Sequence, residues 1–326
     1  MWANPSSPHA EGRKARAALE DARERVKAAL GWEGEVIFTS GASEAAALAL
    51  HGAKAGTRML GATEHDALRR AAPDAVILPV LPNGAIDLGA LEAALRAHPG
   101  ALVAVQSLNS ETGNSLNLAE VAVRVKAAGG MLLVDASQSA GKYKLGDYGG
   151  MAIVAAHKFG GPVGVGALLV RDYAMLEPTG GHERGYRRGT ENLPGVLGMA
   201  AALEAGGEPY LAWDSGAAMH ALASNVRAAG GEWLGDRLDA PTALIHAIAM
   251  PGMSATAQVM RFDMMGFAVS QGSACSSGSM KTSAVLAAMG IEPEVAARTI
   301  RVSLGWTTTE AEVEAFGAAW AGLAAG

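Results

Sequence analysis

The sequence predicts an α/β chain, with a mainly parallel sheet in a larger first part and a smaller α+β part at the C-terminal end. Three observations carry that expectation. Short, almost wholly apolar runs, "DAVILPVL", "ALVAVQSL" and "GMLLVDAS", alternate with segments of helical periodicity such as "DLGALEAALRAH" and "LNLAEVAVRVKAAGG". The runs have no polar side, as strands need when helices cover both faces of a parallel sheet. Beyond about Gly206 the alternation gives way to a different order of elements. The expected division is a large domain over 10–205 and a small one over 206–326, with residues 1–9 packing with the small domain.

Taken in order, Ala10 to Leu30 mixes Ala and Leu with Arg, Glu and Lys at helical spacing and stops at Gly31, so it reads as an amphipathic helix. "EVIFTSG" reads as strand and turn, and the strand–helix alternation follows. "AIVAAHKFGGPVGVGALLV" reads as a strand, a glycine-rich turn and a second strand. The last part is a helix ("WDSGAAMHALASNVRAAGG"), a strand ("TALIHAIAM"), a helix, a loop around Cys275, a strand ("TIRVSLG") and a final helix. No fixed-period repeat or heptad run interrupts this order.

Composition narrows the function. A chain of 326 residues can bury a sizeable core. No apolar run reaches the roughly 20 residues of a membrane span, and the N-terminus lacks the basic-then-apolar pattern of a signal sequence. One cysteine permits neither an intrachain disulfide nor a multi-cysteine metal site, which fits the cytoplasm. The 26 basic and 32 acidic residues are intermixed, for a net charge of -6, so nucleic acid is not an expected partner. No metal is expected; small molecules and other proteins remain.

Ligands of such sheets bind beyond the carboxyl ends of the strands. "VIFTSGASEAAALAL" places Thr39 to Ser43 between a strand and a helix, where free N–H groups favour an anion; plain helix capping is the competing reading. "MLLVDASQSAGK" brings Asp135 and Gln138 to the end of an apolar strand, where a carboxylate needs a cation, a protonated heterocycle for instance, or caps the next turn. His157 and Lys158 follow another strand. The glycines after them are no nucleotide loop, because no Gly-Lys-Ser/Thr follows and a strand replaces the helix. They allow a tight turn, and a lysine desolvated beside it can form a Schiff base. Cys275 stands in "SQGSACSSGSM", a small, polar stretch that suits a reachable thiol better than a buried one.

A phosphate cradle, a carboxylate for a pyridine nitrogen and a Schiff-base lysine, each at a strand end, together suit pyridoxal phosphate. The stretches "NPSSPHAEGRKA", "TSGASE", "TEHDAL", "NSETG", "DASQSAGK", "AHKFGGPVGVGALLV", "GGHERGYRRGTEN", "GSACSS" and "IRVSLGWTT" resemble, in sequence and order, the cysteine desulfurases of the class V aminotransferase fold. The resemblance spans nearly the whole chain. It implies a fold-type-I enzyme of the pyridoxal-phosphate-dependent transferases, with a seven-stranded, mainly parallel sheet, working as a cytoplasmic homodimer. It further implies that Lys158 holds the cofactor, Asp135 faces the pyridine nitrogen, Gln138 bonds the ring hydroxyl and His65 stacks on the ring among the catalytic groups. Ala42, Ser43 and His157 would line the phosphate, Thr190 would reach the phosphate of the neighbouring subunit, and Arg301 would clamp the substrate carboxylate. Cys275 would take sulfur from L-cysteine as a persulfide, leaving L-alanine, and pass it to an acceptor or scaffold protein of iron–sulfur cluster or thio-cofactor assembly.

Three departures from the family stand out. The chain starts at "MWANPSS", without the strand that family members carry ahead of Asn-Pro. "NSETG" puts Ser110 where the family has asparagine over the ring, with Asn109 one residue earlier for substrate contacts. "AAHK" has Ala155 in place of a phosphate-binding hydroxyl, a loss of about 1.5 to 3 kcal/mol of cofactor binding. The alternatives are a selenocysteine lyase or another class V enzyme, and a dimeric binding scaffold with little catalysis. Cys275 argues against a transaminase, which has no use for it.

Overall fold

The computed structural model describes residues 3–146, 148–207, 210, 216–272 and 283–325. The chain divides into two compact units: 1–78, 87–107 and 117–207 form the larger, and 79–86, 108–116 and 208–326 the smaller. Two short excursions from the first half thus belong to the smaller unit. Val80 bridges Ile86 and Leu108 bridges Ser115 within them, while the Asp239 N–H donates to the Asn83 carbonyl at 3.0 Å and Asn114 bridges Pro241 to tie them to the rest of that unit. The segment before the first helix falls in the larger unit instead of with the small domain. His9 Nδ1 caps the helix by accepting from the Gly12 N–H at 3.1 Å. The Ser6 hydroxyl meets His182 Nδ1 at 3.4 Å in the same unit.

In the larger unit, α1 (Ala10–Leu30) buries Ala15, Leu19, Ala22 and Val26, the stripe its spacing predicts, and packs along α6 (Leu193–Ala205). It ends at Gly31, whose φ of 64° is open to glycine. The strands are β1 (Glu35–Thr39), β2 (Arg58–Gly61), β3 (Val76–Leu78), β4 (Leu102–Gln106), β5 (Met131–Asp135), β6 (Met151–Ala155) and β7 (Gly166–Val170). "DAVILPVL" yields only the three residues of β3 because Pro79 has no N–H to continue the ladder.

The seven strands form one sheet in the order β1-β7-β6-β5-β4-β2-β3. β7 runs antiparallel to both neighbours and the other pairings are parallel. Between the strands lie α2 (Ala42–Gly52), α3 (Asp66–Ala71), α4 (Leu88–Ala97) and α5 (Leu118–Ala127). Ala45, Ala46 and Ala49 of α2 pack on Ile37, Ile153 and Leu168 of the sheet. Register aligns the functional ends: Thr39 and Ala155 flank Gly166 from either side, and Asp135 pairs with both Gln106 and Ile153. The carboxyl ends of β1, β4, β5 and β6 therefore share one edge.

The smaller unit carries a three-stranded antiparallel sheet, ordered β10 (Thr299–Ser303), β9 (Ile245–Ala249), β8 (Glu232–Trp233). Helices α7 (Ala217–Ala228), α8 (Ala255–Met264), α9 (Ala284–Ala288), α10 (Pro293–Ala296) and α11 (Glu310–Ala324) surround it, with α11 packed on α7. Thr309 and Glu312 start α11 with reciprocal capping bonds. Phe262, Phe267 and Phe316 pack ring against ring, the closest pair 4.9 Å apart. No helix among the described residues is long and apolar enough to cross a membrane.

Candidate active site

The edge at the end of β1 is built for an anion. Side chains of His9, His65, Asp87, Asn117 and Asn192 cap α1, α3, α4, α5 and α6, whereas α2 starts at Gly41 with no side-chain cap. The first-turn N–H groups, those of Ala42 and Ser43, are left to an outside acceptor. Gly41 has φ 148°, and a Cβ on Gly166 would lie 2.8 Å from its Cα, so both positions need glycine for β7 to pass this turn. An acidic first-turn residue would oppose a phosphate there, but Glu44 is spoken for. It accepts from the Ser40 N–H and from Arg187 Nε, the latter at 2.9 Å. Burial pushes the Glu44 carboxyl up, and the bonds from Ser40 and Arg187 outweigh it to hold the group below its ordinary value. Glu44 is thus ionised and matched by Arg187.

Asp135 closes β5, buried, with one carboxylate oxygen accepting from the Ser137 N–H at 2.9 Å. The turn-capping reading thus accounts for one oxygen, and the other makes no bond among the described residues. Gln138 follows on the same turn and accepts from Lys142 Nζ at 3.3 Å. His65, half-buried beyond β2, accepts from the Ala67 N–H on Nδ1 at 3.1 Å, so its neutral ring carries the proton on Nε2. His157 and Lys158 form the 3-10 turn after β6. Partial burial, then the charge of Lys158, lowers the His157 imidazole below its ordinary value.

Lys158 itself is exposed in the chain, so the desolvation expected from the glycine-rich turn is not supplied there. The crowding acts on the backbone instead: a Cβ on Gly161 would lie 2.9 Å from that of Ala156, and Gly160 and Gly164 have φ of 84° and 74°. Ala155 is buried opposite Gly166 and offers a methyl group where a hydroxyl was the family pattern. Thr190 lies exposed beyond Glu183, whose carboxylate is held by Arg23 at 2.8 and 3.2 Å and by the Phe38 N–H at 2.9 Å.

A second group assembles in the smaller unit. Arg301, in the middle of β10, donates from one terminal nitrogen to the Ser110 carbonyl at 3.0 Å and from the other to the Ser270 hydroxyl at 3.2 Å. Its Nε is buried without a partner, and no carboxylate bonds it among the described residues. Burial lowers the guanidinium pKa and Glu111 raises it. A partly desolvated cation whose bonding partners among the described residues are neutral leaves its Nε for an incoming anion. Asn109 is committed to its own loop: its side-chain oxygen accepts from the N–H groups of Glu111 and Thr112 and from the Thr112 hydroxyl. Ser110 meets Arg301 through its carbonyl, a bond indifferent to its side chain. Cys275 lies outside the described residues.

Sequence reasoning passed over Arg187, Glu44, Ser270 and Glu111, which neutralise or orient the assigned residues. Arg187 and Glu44 stand inside quoted motifs, but nothing in their spacing announces a bond spanning 143 residues.

The donor set of the larger unit fits pyridoxal phosphate. The uncapped N-terminus of α2 suits its phosphate, Asp135 a protonated ring nitrogen, His65 the ring face, and Lys158 supplies a primary amine for the aldehyde. Comparison with known proteins agrees. Residues 1–316 match the aminotransferase class-V family model. A cysteine desulfurase IscS of Anaeromyxobacter sp. (strain Fw109-5) is 37% identical over 340 residues, covering 95% of this chain and 82% of that protein. Among solved structures, a NifS-like protein superposes with a TM-score of 0.88 at 28% identity, covering 99% of this chain and 92% of that one. SspA in complex with cysteine does so at 0.76 and 27%, covering 94% and 92%. With its seven-stranded α/β unit and this donor set, the chain belongs to the class-V aminotransferase family, among the pyridoxal-phosphate-dependent cysteine desulfurases.

Proposed function

We propose that this cysteine desulfurase converts L-cysteine to L-alanine, leaves the sulfur as a persulfide on Cys275 and passes it to an acceptor protein of iron–sulfur cluster or thio-cofactor assembly, working as a cytoplasmic homodimer. The observation that carries the reading is the row of complementary groups along one sheet edge, from the α2 N-terminus through Lys158 to Asp135. When bound, pyridoxal phosphate supplies an electron sink for the substrate carbon atoms.

The chain's own residues divide the remaining work. Ala42, Ser43 and His157 hold the phosphate, with Thr190 reaching that of the partner subunit. Asp135 and Gln138 fix the ring, His65 covers it, and Lys158 anchors the cofactor and moves the proton at substrate Cα. Arg301 takes the substrate carboxylate, with Asn109 and Ser110 folding the loop on which it leans. The Cys275 thiolate attacks the substrate sulfur: an S–S bond forms as the Cβ–S bond breaks, the electron pair stays with carbon, and a proton completes alanine.

Incubation with cysteine and pyridoxal phosphate, with and without a reductant, tests the reading. Alanine and sulfide should rise together, and mass spectrometry should find one added sulfur on wild type and none on Cys275→Ser, which should still bind the cofactor. Alanine at the level of a protein-free control would overturn the activity. Undiminished sulfur release by Cys275→Ser without reductant would overturn the role of the thiol.

A further inference from the structure

We propose that Glu64 is a positioning residue of the cofactor site: it works as a neutral carboxylic acid that clamps the segment leading to His65 onto the end of β4 and leaves Asp135 as the one charged carboxylate facing the ring nitrogen. The part concerning Asp135 rests on the functional reading above.

Glu64 is 3% exposed, on the connection between β2 and α3. Its Oε1 accepts a single bond, from the Gln106 N–H at 2.8 Å. Its Oε2 is buried and has no partner among the described residues. Gln106 answers with its side chain, whose Nε2 donates to the Thr63 carbonyl at 3.1 Å and the Thr63 hydroxyl at 2.7 Å. Three hydrogen bonds thus fasten residues 63 and 64 to the last residue of β4, and His65 is the next residue along. Gln106 is also the ladder partner of Asp135 on β5, so the clamp and the aspartate share one end of the sheet.

An ionised Glu64 would be buried with one neutral hydrogen bond among the described residues and a like charge beside it. Arg69 of α3 relieves this only in part, because its guanidinium donates to the backbone carbonyls of Ala62 and Glu64 and makes no bond to the carboxyl. Buried carboxyls in such surroundings keep their proton. The balance of charges agrees: burial first, then Asp135, push Glu64 well above the usual carboxylate range, against weaker pulls from the Gln106 N–H and Arg69. The neutral acid spares Asp135 a competing charge, and a protonated ring nitrogen then faces one anion.

The protonation state is read without cofactor, by urea unfolding of wild type and Glu64→Gln from about pH 5.5 to 8. A carboxyl whose folded-state pKa is raised stabilises the fold below its unfolded value near 4.3, and that contribution is lost as pH rises towards the folded value. The amide has no proton to lose. The folding constant of Glu64→Gln should therefore gain on wild type as pH rises towards the folded value, by up to about tenfold per pH unit. A ratio that stays level or falls with pH overturns the neutral acid.

The positioning role is read from the visible band of bound pyridoxal phosphate and its dissociation constant. Glu64→Gln should keep the wild-type band, and Glu64→Ala should shift the pH at which the band converts and weaken binding by about fivefold, the equivalent of one hydrogen bond. A Glu64→Ala protein with the wild-type band and affinity, or a Glu64→Gln protein that matches Glu64→Ala, overturns it. Asp135→Asn should shift the same band. If it does not, the assignment of Asp135 and the part of the proposal built on it fall, while the unfolding result is unaffected.

Discussion

Glu183 and Glu64 are glutamates of the same unit, 2% and 3% exposed, in opposite surroundings. Glu183 receives both terminal nitrogens of Arg23 and the Phe38 N–H, and the same guanidinium also donates to the Val36 carbonyl and lies over the Phe38 ring. Burial opposes the charge on Arg23, and Glu183 more than restores it. Glu64 receives one backbone N–H and lies near another carboxylate. Depth is equal and partner number is not. The fully bonded ion pair is frame, fixing α1 to β1 and to the loop before Thr190. The under-bonded carboxyl stands at the sheet edge that carries Asp135, and Arg301, whose Nε has no partner among the described residues, repeats that condition in the smaller unit.

The sharpest way to break this comparison is to remove one half of the frame pair. Arg23→Met leaves the Glu183 carboxylate buried with the Phe38 N–H alone, and should cost about 3–5 kcal/mol in urea unfolding. Glu183 and Arg184 also hold positive φ, 48° and 56°, a backbone that the pair stabilises and that should relax without it. Adding Glu183→Met should recover most of the loss, because two apolar side chains bury no charge. A loss below about 1 kcal/mol for Arg23→Met would mean that the pair contributes no more than a surface bridge.

A smaller effect of opposite sign to that of Glu64 is expected at His246 on β9. Its Nε2 lies 2.9 Å from the Ala243 carbonyl and its ring 4.9 Å from that of Trp233. Burial lowers the imidazole from 6.5 to about 4, against a weaker pull from the Ala243 carbonyl. A base with a depressed folded-state pKa stabilises the fold above its unfolded value and loses that contribution as pH falls towards the folded one. Wild type should therefore lose ground to His246→Phe from about pH 6.5 down to about 4, by about 3 kcal/mol at most. Glu64→Gln gains on wild type as pH rises, and His246→Phe gains as it falls. Ratios that stay level with pH for both variants would show that neither group keeps its neutral form.

Periodicity made the strands and helix ends of the larger unit legible. Gly31 ends α1 where the pattern stops, and Asp135 closes β5 as its apolar run requires. The glycines after Lys158 make a turn and not a phosphate loop, as the absence of a following helix indicates. Residues 79–86 and 108–116 were not legible as parts of the smaller unit, because single bridges to Pro241 or between short arms leave no repeating signal. The same limit hid Glu64. It stands beside His65 in "TEHDAL", but its environment comes from Gln106, 42 residues on, and from Asp135 across the ladder. Motif resemblance assigns residues that meet the ligand and passes over those that set their charge.

The smallest effect tests a half-exposed pair, between the two buried extremes. Arg187 and Glu44 side chains are 16% and 28% exposed, and their bond at 2.9 Å ties the loop bearing Thr190 to the first turn of α2. Glu44 is ionised, so Arg187→Ala leaves a negative charge in the same turn as the N–H groups that would take the phosphate. With partial solvent screening the loss should be about 1 kcal/mol, roughly fivefold in the dissociation constant of pyridoxal phosphate. Because the cause is repulsion, high salt should shrink the difference between variant and wild type. Glu44→Gln in the Arg187→Ala background removes the surplus charge and should restore affinity, giving a coupling energy of the same size. A double variant as weak as Arg187→Ala would show that the arginine acts by holding the loop, and the charge argument for this edge would fail.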